Sequence, residues 1–217
     1  PYAERRDTRA TYGIFVITVD SLTGRLSYDP PGDFEARGTV SYGRADVRRH
    51  APPGLGVMVT DARDFSVEPV LAWRSSSGSG LTLGLHYTRA TLDQAIDLTT
   101  LAQVAGFGAF DDTQHSLGLF GEGSIVLAPN LTLTGGLRHQ YDRQIRKGGL
   151  VGTALTLPLD YAKSFSAWLP KVSLAWDISP QWRIGALVQR ASNPGGVNLN
   201  PASRRIETFD AERLWDI

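Results

Sequence analysis

Side chains able to do chemistry are few and scattered in this 217-residue chain. The four histidines, His50, His86, His115 and His139, never pair at a metal-ligand spacing. Asp111, Asp112 and His115, in the stretch DDTQH, come nearest to a metal cluster. Their plain reading is a polar loop at the mouth of a strand, and the sharper alternative is a loop that touches haem. GEGSI (121–125) lacks the G-x-S-x-G spacing of a nucleophile elbow, and no motif marks a Ser/His/Asp triad. Gly78-Ser79-Gly80 reads as a tight turn, because a strand and not a helix follows it. Without cysteine there is no disulfide, no thiolate zinc and no Fe–S chemistry. No catalytic, metal or cofactor residue is assigned, and the expectation is a protein that is not an enzyme.

Charge narrows the classes further. Lys+Arg and Asp+Glu both total 22, so the net charge is zero. A nucleic-acid protein would carry a basic excess. No run of 18 apolar residues exists to form a membrane-crossing helix. The polar start PYAERRDTRATYG shows no signal peptide, and FDAERLWDI ends without punctuation. The chain therefore reads as a piece of a larger protein, with residues 1–217 all part of one domain.

The elements that would position any site are strands. Helical periodicity is nearly absent, whereas apolar and polar residues alternate widely. Turn signals fall at Pro30-Pro31-Gly32-Asp33, Ser75–Gly78, Ala128-Pro129-Asn130 and Ser179-Pro180-Gln181. The alternation predicts about nine strands, near 16–29, 33–47, 65–75, 79–91, 113–127, 131–143, 165–178, 181–191 and 206–217. Longer polar or Gly-rich stretches, 48–64, 92–113, 143–164 and 191–206, are expected as loops. LTTLAQVAGFGAF (98–110) reads plainly as an apolar patch of its loop, with room for a short helix, and the sharper alternative is a loop that contacts ligand. Short turns on one side and long loops on the other are the arrangement of a transmembrane barrel.

Each strand divides into two faces. Phe34, Ala36, Gly38, Val40 and Tyr42 oppose Glu35, Arg37, Thr39 and Ser41. Leu81, Leu83, Leu85 and Tyr87 oppose Thr82, Gly84, His86 and Thr88. Aromatics on the apolar face fall in two belts. Tyr28, Phe34, Trp73, Trp176 and Trp182 lie beside the short turns, and Tyr42, Tyr87 and Tyr141 lie near the long loops. From Phe34 to Tyr42 a strand tilted near 45° rises roughly 19 Å, close to the apolar band of about 25 Å between the aromatic girdles of an outer-membrane barrel. A soluble β-sandwich also alternates, but two aromatic belts have no role in a sandwich core.

The stretch LGLFGEGSIVLAPNLTLTGGLRHQYDR (117–143) resembles a hairpin of TonB-dependent outer-membrane receptors. Phe120-Gly121, Leu131-Thr132-Leu133 and Gly136-Leu137-Arg138 fit that pattern, with His139 where Tyr is usual. Leu169-Pro170-Lys171, the loop Pro194–Asn198 and the closing IETFDAERLWDI fit the same family in the same order. The resemblance is specific over about 113–217 and general over 14–92.

That resemblance implies an all-β fold, an antiparallel up-and-down barrel of about 22 strands, of which this chain holds about nine. It implies residence in the outer membrane of a Gram-negative bacterium. It also implies TonB-dependent uptake of a scarce nutrient, foremost a ferric siderophore, driven by the proton gradient. Implied partners are outer-membrane lipid and lipopolysaccharide, an N-terminal plug and, through the plug, TonB. Arg37, Glu35, Arg138, Gln140, Arg183 and Gln189 would face plug and water. Ligand would meet the loops 48–64, 92–113, 143–164 and 191–206, and RRHAPPG (48–54) is read either as meeting lipopolysaccharide phosphates or as a merely solvated loop. A passive porin and, behind it, a barrel enzyme are the alternatives.

Overall fold

The computed structural model describes residues 14–50, 56–97, 106–152, 156–200, 203 and 205–216. Eleven strands account for nearly all of them: β1 (Ile14–Tyr28), β2 (Phe34–His50), β3 (Val57–Arg74), β4 (Gly80–Asp97), β5 (Gly106–Ala128), β6 (Leu131–Gly152), β7 (Thr156–Ser179), β8 (Trp182–Asn193), β9 (Gly196–Asn200), β10 (Arg205–Phe209) and β11 (Glu212–Asp216). Nine form one open sheet in the order β1-β2-β3-β4-β5-β6-β7-β8-β11, and β9 and β10 make a separate two-stranded hairpin. Every pairing is antiparallel. Up-and-down order follows directly from the short turns, since a few residues can join only antiparallel neighbours. In the β3–β4 turn the Ser75 amide donates to the Ser79 carbonyl at 2.8 Å, and the Gly78 amide to that of Ser75 at 3.0 Å.

Register confirms the two faces. Phe34, Trp73 and Leu81 are successive partners across β2, β3 and β4. Tyr87, Leu117 and Tyr141 are successive partners across β4, β5 and β6. Partners share a face, so the apolar residues of all these strands form one continuous surface. That surface is bare: Leu22 is 74%, Leu26 76% and Trp182 71% exposed. A water-soluble sheet of this size would cover such residues. The polar face carries Glu35 with Arg37 at 3.1 Å, Gln189 with Asp216 at 3.1 Å, and Arg183 with Asp177.

The strands run farther than the alternation predicts. β3 already begins at Val57, β4 extends to Asp97, β5 starts at Gly106, and β6 and β7 together occupy all of 143–164 except 153–155. The expected loops at 48–64, 92–113, 143–164 and 191–206 are therefore largely strand. Beyond the aromatic belt the strict alternation fades, yet the pairing persists. Gly148 and Gly149, at φ 122° and 152°, keep the ladder in register through a glycine-rich stretch that reads as loop. Both lie where an L side chain is strained. Of the apolar loop with room for a short helix over 98–110, residues 98–105 lie outside the described set, and Gly106–Phe110 is strand. The single strand expected over 206–217 is two: β10 pairs with β9, and β11 pairs with β8.

Among the described residues β1 and β11 are the unpaired edges of this open sheet, beside a bare apolar face. The isolated 217-residue chain is expected to aggregate in detergent-free buffer and to disperse in detergent. Sedimentation velocity checks this, and a stable monomer at high concentration without detergent would contradict it.

Candidate functional site: a cleft on the polar face

Beyond the aromatic belt, register assembles a row of unlike side chains on the polar face. Asp112 of β5 pairs with Arg146 of β6, and Arg146 with Tyr161 of β7. One row farther out, Phe110 and Leu159 flank Gly148 in the same way. Phe110 and Leu159 are nearly buried, at 3% and 4% exposure. With Tyr161 they form the main buried apolar cluster of the described residues, on which Ile96, Val197 and Ile206 pack. Val197 and Ile206 belong to β9 and β10. The hairpin thus folds onto the polar face, and a small core holds it there.

Between hairpin and wall lies a cleft of about 430 Å³. Its wall includes Asp112, Gln114, Gln144, Arg146 and Tyr161, and Phe209 closes the hairpin side. The Arg146 guanidinium lies over the Phe110 ring, 5.1 Å from its centre. Arg146 Nε is 3.1 Å from Asp112 Oδ1, but the two are out of line for a hydrogen bond. Among the described residues neither atom has another hydrogen-bond partner, and the buried Tyr161 Oη has none. Buried donors without partners are uncommon and costly. Burial pushes the Asp112 carboxyl up, against the opposing pull of Arg146, and Asp111 adds to the rise. Burial likewise pushes the Tyr161 hydroxyl up, so it stays a donor near neutral pH. The cleft thus offers a guanidinium, a phenol and an aromatic surface to a ligand rich in oxygen acceptors.

A tether closes the hairpin side. Lys163 Nζ donates to Asp210 Oδ1 at 2.9 Å. That hydrogen bond, with the charge behind it, lowers the Asp210 carboxyl and raises the Lys163 ammonium. The lowered Asp210 contributes stability above its unfolded value and loses it as pH falls through its folded one. The raised Lys163 contributes below its unfolded value and loses it as pH rises through its folded one. The tether is therefore expected to hold from below the ordinary carboxylate value to above the ordinary lysine value. A spin label at Thr208→Cys in the whole receptor should be immobilised at neutral pH and freed only once the pH falls through the lowered Asp210 value. Lys163→Met should free it at every pH, and a neutral-pH spectrum unchanged by Lys163→Met would contradict the tether.

The residues singled out from sequence divide across the sheet. Asp111 and His115 share the apolar-side face of β5, whereas Asp112 points to the polar face, because successive strand residues alternate. DDTQH is strand and not a loop, and the three never converge. His115 instead pairs its Nδ1 with the Tyr87 hydroxyl at 3.1 Å. His139 sits against Trp168 on the apolar side, ring centres 4.5 Å apart. His86 is held on the polar face by Glu68 at 3.0 Å and Thr88 at 2.9 Å. His50 ends β2. Among the described residues no group of three His, Cys, Asp or Glu is placed to hold a metal.

Closer to the short turns, the polar face carries a second network. Arg138 Nε donates to Gln140 Oε1 at 2.8 Å, and Gln140 Nε2 donates to Ser116 Oγ at 2.7 Å and Asp142 Oδ1 at 2.9 Å. Lys171 pairs with Glu122. Arg138 lies flat across Gly118, where any side chain would collide with its guanidinium. This saturated network contrasts with the unpartnered donors of the outer cleft. Arg146 and Tyr161 are not legible in the sequence, because one cation and one phenol in a polar stretch carry no periodic signal. Only the strand register makes them neighbours.

The TonB dependent receptor-like, beta-barrel family matches residues 1–214. No match to a curated protein sequence was found. The fold is similar to that of the ferric yersiniabactin uptake receptor FyuA from Yersinia pestis, with TM-score 0.73 and 18% identity over 92% of this chain and 32% of that one. It is also similar to the alcaligin outer-membrane receptor FauA from Bordetella pertussis (TM-score 0.64, 15% identity, 84% of this chain, 30% of that one). A third is the siderophore receptor PiuA from Acinetobacter baumannii (TM-score 0.64, 14% identity, 85% of this chain, 33% of that one). The chain thus spans about a third of the length of these solved receptors, and at such identities the likeness is one of fold. The open nine-stranded sheet, bare on one face and polar on the other, is a partial barrel wall; with nearly its whole length matched, the chain belongs to the β-barrel of the TonB-dependent receptors, outer-membrane receptors and not enzymes.

Proposed function

We propose that this chain is part of the wall of an outer-membrane receptor for a ferric siderophore, taken up in a TonB-dependent step driven by the proton gradient. The polar face is then the lumen. An N-terminal plug would contact the network around Arg138 and Gln140, and ligand would meet the wall farther out. The observation that carries this reading is the cleft lined by Arg146, Tyr161 and Phe209, where Arg146 Nε and Tyr161 Oη make no hydrogen bond among the described residues. Ferric siderophores present oxygen acceptors, often with negative charge, and a guanidinium beside a phenol and an aromatic ring suits them. The fold likeness to FyuA, FauA and PiuA supports it.

The test is uptake by the whole receptor in a Gram-negative host lacking its own siderophore receptors. Radiolabelled ferric complexes of catecholate, hydroxamate and phenolate type are offered with and without a proton-gradient uncoupler. Uptake of at least one complex, abolished by the uncoupler, is expected. Passage of small solutes regardless of the uncoupler, with no ferric complex bound, would overturn the reading in favour of a passive channel.

A further inference from the structure

The bare face has a cationic margin. On five consecutive strands the girdle residue is followed, two positions farther from the short turns and on the same face, by a basic side chain. Arg44 follows Tyr42 on β2, Arg63 lies beyond Phe65 on β3, Arg89 follows Tyr87 on β4, His115 lies beyond Leu117 on β5, and Arg143 follows Tyr141 on β6. Two strand residues advance roughly 5 Å along the membrane normal at a tilt near 45°. The basic row therefore stands just outside the apolar band, at headgroup height, on the side facing lipid.

The five are not equivalent. Arg44 and Arg63 both reach Asp61, at 2.8 and 3.0 Å, and so are largely neutralised within the wall. Arg48, in the stretch read from sequence as a phosphate contact or a solvated loop, is occupied by Asp46 at 2.9 Å. Residues 51–54 of that stretch lie outside the described set. Arg89 and Arg143 are exposed and have no carboxylate partner among the described residues. They are the register partners of His115 on either side, so three basic groups lie abreast on adjacent strands. The Tyr87 hydroxyl fixes the His115 ring between them. Arg89 and Arg143 are two strand spacings apart, about 9.6 Å along the sheet, wide enough to admit a phosphate above His115.

We propose that Arg89, His115 and Arg143 form an outward-facing site for a phosphate of lipopolysaccharide in the outer leaflet. The ends of the strands that carry these residues lead away from the short turns, to the outer side in a barrel of this class. Lipid phosphate at that surface is carried by lipopolysaccharide. Two uncompensated guanidinium groups facing lipid call for an anion, and arginine forks match phosphate oxygens. The site faces away from the cleft and stands whether or not a siderophore is the cargo.

The test uses the whole receptor in nanodiscs holding equal amounts of bisphosphorylated lipid A, dephosphorylated lipid A and phosphatidylglycerol, with retained lipid read by native mass spectrometry. Wild type is expected to retain bisphosphorylated lipid A preferentially. Arg89→Gln with Arg143→Gln should cut that retention roughly 10- to 30-fold. Arg25→Gln, on the opposite face of β1, should leave it unchanged. Heat-modifiable mobility on gels reports that each variant is folded. If the double variant does not insert, Arg143→Gln alone decides, with about a fivefold loss expected. Equal retention of the two lipid A forms by wild type, preference for phosphatidylglycerol, or unchanged retention in the folded variants would overturn the proposal.

Discussion

Arg146→Ala in the whole receptor is expected to weaken ferric-siderophore binding by about 10- to 100-fold, the usual worth of a buried hydrogen bond from a charged donor. Arg146 Nε is buried beside Asp112 without a hydrogen bond among the described residues, and its guanidinium already lies over Phe110. Tyr161→Phe removes the other free donor while keeping the packing of the Phe110–Leu159–Tyr161 cluster, and a loss of about tenfold is expected. Asp112→Asn separates a binding role from a structural one. It takes away the charge facing Arg146 but leaves both donors, so affinity should hold or rise. Fluorescence quenching titrations measure all three. Wild-type affinity in folded Arg146→Ala would sink the assignment of the cleft, and so would a loss in Asp112→Asn equal to that in Arg146→Ala.

A second large effect separates adjacent residues of one strand. Leu83 and Thr82 are neighbours on β4 and face opposite sides of the wall. Leu83 sits between Leu71 and Gly121, half exposed on the apolar face, midway between the belts marked by Trp73 and Tyr87. Leu83→Arg is expected to cost about 2–4 kcal/mol of stability in a bilayer, and Thr82→Arg close to nothing, since water reaches the lumen. Equilibrium unfolding of the whole receptor from liposomes checks this. Equal costs at the two positions would show that the bare face does not meet lipid.

Both predictions rest on register, and register explains what the sequence discloses. Within the membrane band every second residue must be apolar, so Leu81, Leu83, Leu85 and Tyr87 announce strand and face together. Pro30-Pro31-Gly32-Asp33 and Ser179-Pro180-Gln181 mark turns by their own backbone preferences. Outside the band that constraint is lifted. Asp111 and Asp112 face opposite sides yet are the same residue type, and Gly148-Gly149 looks like a break although pairing continues through it. The strand ends and the β9–β10 hairpin are consequently invisible to alternation. Arg146 meets Asp112 and Tyr161 through pairings set by turns many residues away. The basic row beside the girdle was written in the sequence as aromatic and cation two apart, but only on strands already aligned does it become a row.

The length of β5 beyond its girdle residue has one more consequence. From Gly106 to Ser116 roughly eleven residues stand clear of the apolar band, which at a tilt near 45° is about 25 Å of paired wall above the headgroups. A rim at that height carries the row of Asp112, Arg146 and Tyr161 clear of the headgroup layer, so the cleft they line opens to water and not to lipid.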